Sequence, residues 1–259
     1  MCELLGLTSN KKIRMNELLK TFFSHSTVHR DGWGFVELDR NPISIEKEPT
    51  RAVDSSFLRE KLAHRVETSK CLAHIRQATI GDVCPQNTHP FVKCDDTGRQ
   101  WVLIHNGTIF DAHVLSPYQY LQEGTSDSER VLLYIIAEIN RRYRGNPEAR
   151  TLDAVERFRV VEEALRTIAP GNKLNAMLYD GDYFYVHKNA PGALFKKEEP
   201  GTVLFATQPL QPEGWEEAPL NQLLVYRDGT LVYTGRKHNG TYIHDEEKMK
   251  LLFMAYSGL

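Results

Sequence analysis

The chain begins Met-Cys, and Cys2 is the first residue that could do chemistry. If Met1 is removed, Cys2 carries both a thiol and a free α-amine. Such an amine ionises near about 7.7–8.0, against about 10.4 for a lysine. A base poised close to the working pH transfers protons efficiently, so one residue can supply nucleophile and base together. The small side chain at position 2 is also what the processing aminopeptidase needs to remove Met1. Read alone, Cys2 is more simply an incidental residue beside a start codon. The apolar Leu4, Leu5 and Leu7 tell against that, because a buried strand would hold the thiol in a fixed place.

Three further segments carry suitable groups. HIRQATIG places Arg76 in a strand expected to be mostly interior. A buried guanidinium needs an anion, and its planar fork suits a carboxylate; a salt bridge to another side chain would satisfy it equally. GTSDSE places Asp127 in the first turn of a helix, where free N–H groups and the dipole favour negative charge. Helix capping is the commoner use of an aspartate there. HNG ends a strand with Asn106 and Gly107, whose side-chain amide and backbone N–H are suitable donors to an oxyanion. An Asn-Gly pair also simply makes turns.

The elements that must position these groups follow from patterning. CELLGLTS reads as a short buried strand, and Asn16–Ser24 as a helix with Met15, Leu18, Leu19, Phe22 and Phe23 on one face. HRDGWGF is a glycine-punctuated turn entering a strand through Phe35, Val36 and Leu38, with NPISIEKEP as its hairpin partner. DSSFLREKLAHRV is an amphipathic helix capped near Asp54. CLAHIRQAT and QWVLIHNG are strands separated by a long loop holding NTHPF. Ser126 and Glu129 have capping-box spacing ahead of a buried helix, and a second helix spans about Asp153 to Ile168. Hairpins are expected about Asp180-Gly181 and Asp228-Gly229, and HDEEKMKLLFMAYSGL closes the chain as a helix. Hairpins with interspersed helices indicate an α+β fold with antiparallel sheets. NRRYRGNPEART is too short a polar connection to mark a boundary, so one domain over residues 2–259 is expected.

Composition excludes several classes. The 32 basic and 34 acidic side chains leave a net charge of −2, with no basic stripe for nucleic acid. No apolar run approaches the roughly 20 residues that span a bilayer, and the first residues lack a signal-peptide pattern, so a cytoplasmic location is expected. Four cysteines in this length make no disulfide scaffold. A zinc site among Cys71, His74, Cys84, His89 and Cys94 is disfavoured: no CxxC pair exists, and Cys71 and His74 would point to opposite faces of a strand.

In order, MCELLGL, HRDGWGF, HIRQATIG, NTHPF, HNGTI and TSDSE resemble the class II glutamine amidotransferase domain, an N-terminal-nucleophile (Ntn) hydrolase. The motifs run from Cys2 to Glu129, and the GWG version is most similar to stand-alone, single-domain members. The resemblance implies a four-layer αββα sandwich of two antiparallel sheets. It implies that Cys2 attacks the side-chain carbonyl of glutamine while its α-amine moves the proton, and that Asn106 and Gly107 stabilise the oxyanion. Arg76 would grip the substrate α-carboxylate, Asp127 its α-ammonium, and Thr79 would stand on the pocket wall. His89, in the Asn-x-His-Pro segment, would support the site from behind, and Trp33 would pack. Gln77 and Ile80 depart from the tryptophan and histidine common in synthase-linked members, so the outer pocket or an ammonia path would differ. The expected activity is hydrolysis of glutamine to glutamate and ammonia through a γ-glutamyl thioester, with no cofactor and no metal. A separate subunit would have to accept any transferred ammonia. The same groups would equally serve γ-glutamyl peptides or thiol conjugates, and a non-catalytic binding protein would keep the pocket but not need Cys2.

Overall fold

The computed structural model describes residues 2–145 and 151–256. Met1, whose removal is expected, lies outside them, as do residues 146–150 of the polar connection and the last three residues.

One sheet has seven strands in the order β11 (Trp215–Glu217), β9 (Phe195–Glu199), β10 (Thr202–Ala206), β1 (Glu3–Arg14), β4 (Glu67–Ile75), β2 (Trp33–Glu37) and β3 (Ser44–Glu48). The other has six: β13 (Thr230–Thr234), β12 (Gln222–Arg227), β8 (Phe184–Lys188), β7 (Lys173–Tyr179), β6 (Gln100–Thr108) and β5 (Phe91–Cys94). Neighbouring strands pair antiparallel throughout. β1 is longer than the short strand expected, and β5 emerges from the expected loop. The residues that follow the motifs complete both sheets, since β10 flanks β1 and β7 flanks β6.

Strand alternation divides the apolar residues into layers. Leu4, Leu72, Ile104, Met177 and Phe205 face one another between the sheets. Leu5, Leu7, Ala73 and Ile75 face outward, onto helix α1 (Asn16–Ser24) and Leu58 of α2 (Ser56–Ala63). Leu103, Leu174 and Leu178 face α3 (Asp127–Arg144) and α4 (Ala154–Ile168) across the other sheet. The result is the expected α+β sandwich of layers α–β–β–α. A last helix, α5 (Glu246–Tyr256), follows. No helix of the described residues is long and apolar enough to cross a membrane.

The start of β1 is firmly held. Leu4, Leu5 and Leu7 are fully buried, each stabilising by about 1.5–3 kcal/mol relative to exposure. The backbone of Leu4 also donates to Thr207 Oγ1 at 2.8 Å and accepts from Thr207 N at 3.0 Å. By alternation, Cys2 shares the inter-sheet face of Leu4, and Asn106 that of Ile104. The polar residues therefore gather where the apolar inter-sheet layer reaches the strand ends.

Candidate active site

Cys2 lies against the segment that leaves β4. Its Sγ donates to Gln77 O and accepts from Gln77 N, both at 3.3 Å. Burial pushes the thiol above its ordinary pKa, and the Gln77 backbone bond and the nearby Arg76 and Lys173 charges offset this only in part. The thiol is thus protonated at neutral pH and needs a base to become a nucleophile.

Arg76 is buried as expected, but its partners are unexpected. Nη1 donates to Asp82 O at 2.9 Å, and Nη2 to Ile80 O at 3.1 Å and Gly81 O at 3.0 Å. The segment 77–82 thus folds back over the guanidinium, which binds backbone carbonyls where a salt bridge was the simple alternative. Two residues pin this segment. Asp31 of HRDGWGF accepts from Ala78 N at 2.7 Å. Asn87 of NTHPF donates to Asp82 O at 2.9 Å, and its Oδ1 accepts from Thr125 N at 2.7 Å and Ser126 N at 3.0 Å. The two motifs thereby join the arginine segment to the start of α3.

That start departs from the expected capping box. Ser126 is the N-cap, but its hydroxyl accepts from Ser128 N at 3.2 Å. Glu129 reaches away instead, accepting from Glu123 N at 3.1 Å and Gly124 N at 3.2 Å. Buried Asp127 accepts from Ile109 N through Oδ2 at 2.8 Å, tying α3 to the segment leaving β6. The short loop before α3 has its own N–H groups to satisfy, which is why Glu129 is recruited there.

Cys2, Arg76, Thr79, His89, Gly107 and Asp127 line one cavity of about 20 Å³, with room for about one water molecule. Asn106 is buried beside Gly107 but is not among the lining residues; its carbonyl accepts from Asn175 Nδ2 at 3.0 Å across the β6–β7 pair. Position 107 must be glycine, because a Cβ there would run into Lys173 O and the ring of His105. Gly34 is required likewise, since its Cβ would strike the carbonyl of His89.

His89 stacks on His74 with centroids 4.0 Å apart and meets Phe91 edge-on at 4.6 Å. Neither of its ring nitrogens has a hydrogen-bond partner among the described residues. Burial holds His89 well below the ordinary histidine pKa and pushes His74 down to about 3, so both rings are neutral at pH 7. Trp33 packs, donating to Glu48 Oε2 at 3.0 Å. Cys71 lies in the helix-facing layer of β4, while His74 faces the other sheet and bonds His105 O at 3.1 Å. Among the described residues no three His, Cys, Asp or Glu side chains could together hold a metal.

Residues 1–201 match the sequence profile of the class-II glutamine amidotransferases. The chain belongs to that family. A putative glutamine amidotransferase of Escherichia coli, YafJ, is 27% identical over 71% of this chain and 71% of its own length. The crystal structure of a predicted glutamine amidotransferase from Pseudomonas aeruginosa superposes with a TM-score of 0.61 at 21% identity, covering 90% of this chain and all of that one. Glutamine phosphoribosylpyrophosphate amidotransferase from B. subtilis gives 0.64 at 15% identity, covering 91% of this chain and 49% of the other. These two likenesses establish the fold, a four-layer sandwich of two antiparallel sheets between helices.

For a class-II amidotransferase, several site residues escaped sequence reading. Asp31 and Asn87 lay inside motifs already singled out, yet their bonds depend on how loops meet. Lys173 was missed as part of a hairpin. It is buried, pairs with Thr108 in the β6–β7 register, and points with Asn175 and Met177 into the inter-sheet layer. Its charge is felt at Cys2, and burial holds its own pKa below the ordinary lysine value. A lysine opening a mostly apolar strand, KLNAMLY, was the available signal.

Proposed function

We propose that this protein hydrolyses the γ-carboxamide of glutamine through a thioester on Cys2. The observation that carries the reading is the convergence of Cys2, Arg76, Gly107 and Asp127 on one cavity from four separate segments. With Met1 removed, the α-amine of Cys2 takes the thiol proton as Sγ attacks the amide carbon. The oxyanion is held by the Gly107 N–H and the Asn106 side chain, and loss of one such donor typically costs about 10²–10³-fold in rate. The amine returns its proton to the leaving nitrogen, ammonia departs, and a γ-glutamyl thioester remains. Water, deprotonated by the same amine, then attacks the thioester, releasing glutamate and restoring the thiol.

Arg76 binds the substrate α-carboxylate and Asp127 the α-ammonium, with Thr79 on the wall between. A cavity of about 20 Å³ does not admit glutamine, so substrate entry requires segment 77–82 to lift and Arg76 to exchange carbonyl partners for the carboxylate. His89 supports the floor.

Incubation with glutamine should release ammonia and glutamate in equal amounts, and Cys2→Ala protein should release neither. Running γ-glutamyl peptides and thiol conjugates beside glutamine tests the substrate. A strong preference for one of these would overturn the glutamine assignment while keeping the mechanism; no turnover of any would overturn both.

A further inference from the structure

His105 belongs to the HNG segment, yet the mechanism above gives it no part. Its ring is 1% exposed, and both nitrogens are engaged. Nε2 lies 3.2 Å from Lys173 O. A carbonyl can only accept, so Nε2 carries a proton. Nδ1 lies 2.9 Å from Ser128 Oγ, and that same hydroxyl lies 3.3 Å from Asp127 Oδ1. A serine has one proton to give, and the state of the ring decides where it goes. On a neutral ring Nδ1 is a lone pair and receives the hydroxyl proton, leaving Asp127 Oδ1 bare. On a charged ring Nδ1–H donates to Ser128 Oγ, and the hydroxyl proton turns onto Oδ1. Asp127 Oδ2 already accepts from Ile109 N, so Oδ1 is the less engaged oxygen and the better placed to serve a cation.

We propose that His105 is a positioning residue for substrate capture, whose neutral ring, acting through Ser128, keeps Asp127 Oδ1 open to the α-ammonium. This rests on the role given to Asp127 above. The groups that act on the ring come from several elements: Asp127 on α3 and the Lys173 carbonyl on β7 favour its charged form, and the Lys173 ammonium opposes it. His74 on β4, His89 before β5 and His187 on β8 share the field of His105. Burial is the largest influence and lowers the pKa, so the ring stays neutral through pH 7.

Because the folded pKa lies below the ordinary histidine value of about 6.5, the hydroxyl turns only as the solution becomes acidic. Glutamine binding to Cys2→Ala protein, which cannot turn it over, should weaken by about 5-fold or more as pH falls below that value, the low end of ordinary coupling between sites. Adding Ser128→Ala should flatten this dependence, and adding Ser128→Thr, which restores a hydroxyl, should bring it back. Imidazole ¹⁵N spectra supply a readout free of substrate: His105 should be the neutral Nε2–H form at pH 7, with Nδ1 shifted by Ser128→Ala. An Nδ1–H or charged ring at pH 7, or one pH dependence shared by all three proteins, would overturn the proposal. Absence of glutamine binding at every pH would instead overturn the role of Asp127 and, with it, this inference.

Discussion

Helices α3 and α4 both start behind a polar cap with acidic residues in the first turn, and they use those residues oppositely. At α4, Asp153 accepts from Glu156 N at 2.8 Å and Glu156 accepts from Asp153 N at 3.3 Å. Both cap bonds close within four residues and serve the start of the helix. At α3, Ser126 handles the cap, while Asp127 reaches Ile109 and Glu129 reaches Glu123, Gly124 and Lys93. The cap at α4 stabilises a helix; the cap at α3 holds loops around a cavity and leaves a buried carboxylate facing it. Spacing alone does not tell the two apart, because both read S/T/D-x-x-E. What differs is whether neighbouring loops bring unsatisfied N–H groups of their own.

This contrast can be broken by substitution. Asp127→Asn should lower kcat/KM for glutamine by about 30-fold or more, as loss of one partner in a buried charge pair does, with little change in Tm. A large fall in Tm with unaltered kcat/KM would make α3 a second α4. Next in size, Arg76→Lys should raise KM by roughly tenfold and leave kcat nearer its starting value, since an ammonium cannot reproduce the bidentate fork. An unchanged KM would remove Arg76 from substrate capture. The smallest effect belongs to Asp153→Ala, expected to cost about 1 kcal/mol of stability and to leave kcat/KM unchanged. Any loss of activity without loss of stability there would erase the distinction.

The reach of sequence reasoning follows the range of the interactions involved. Helix α1 was readable as Asn16–Ser24 because Leu19, Phe22 and Phe23 recur at helical spacing and are buried. The Asp228-Gly229 hairpin was readable because both residues adopt positive φ, 50° and 74°, as a tight turn between twisted strands requires. Strands β9 and β11 went unread: WEE is the sheet edge and FKKEE the strand beside it, both rich in charged side chains, and pairing rather than pattern makes them strands. In the site, Cys2, Arg76, Gly107 and Asp127 were legible as residue types because their chemistry is unusual where they stand. The carbonyls that hold Arg76 were not, because backbone acceptors exist at every position and only the folded loop selects Ile80, Gly81 and Asp82. The turn of Glu129 away from its own helix was hidden for the same reason.

The proposed mechanism makes Cys2, at the tip of β1, the nucleophile. Its most direct test is the intact mass of the purified protein before and after exposure to an electrophile that mimics glutamine. Met1 should be absent, a single adduct should form on Cys2, and Cys2→Ala protein should remain unlabelled. Retained Met1, or equal labelling of Cys2→Ala protein, would contradict it.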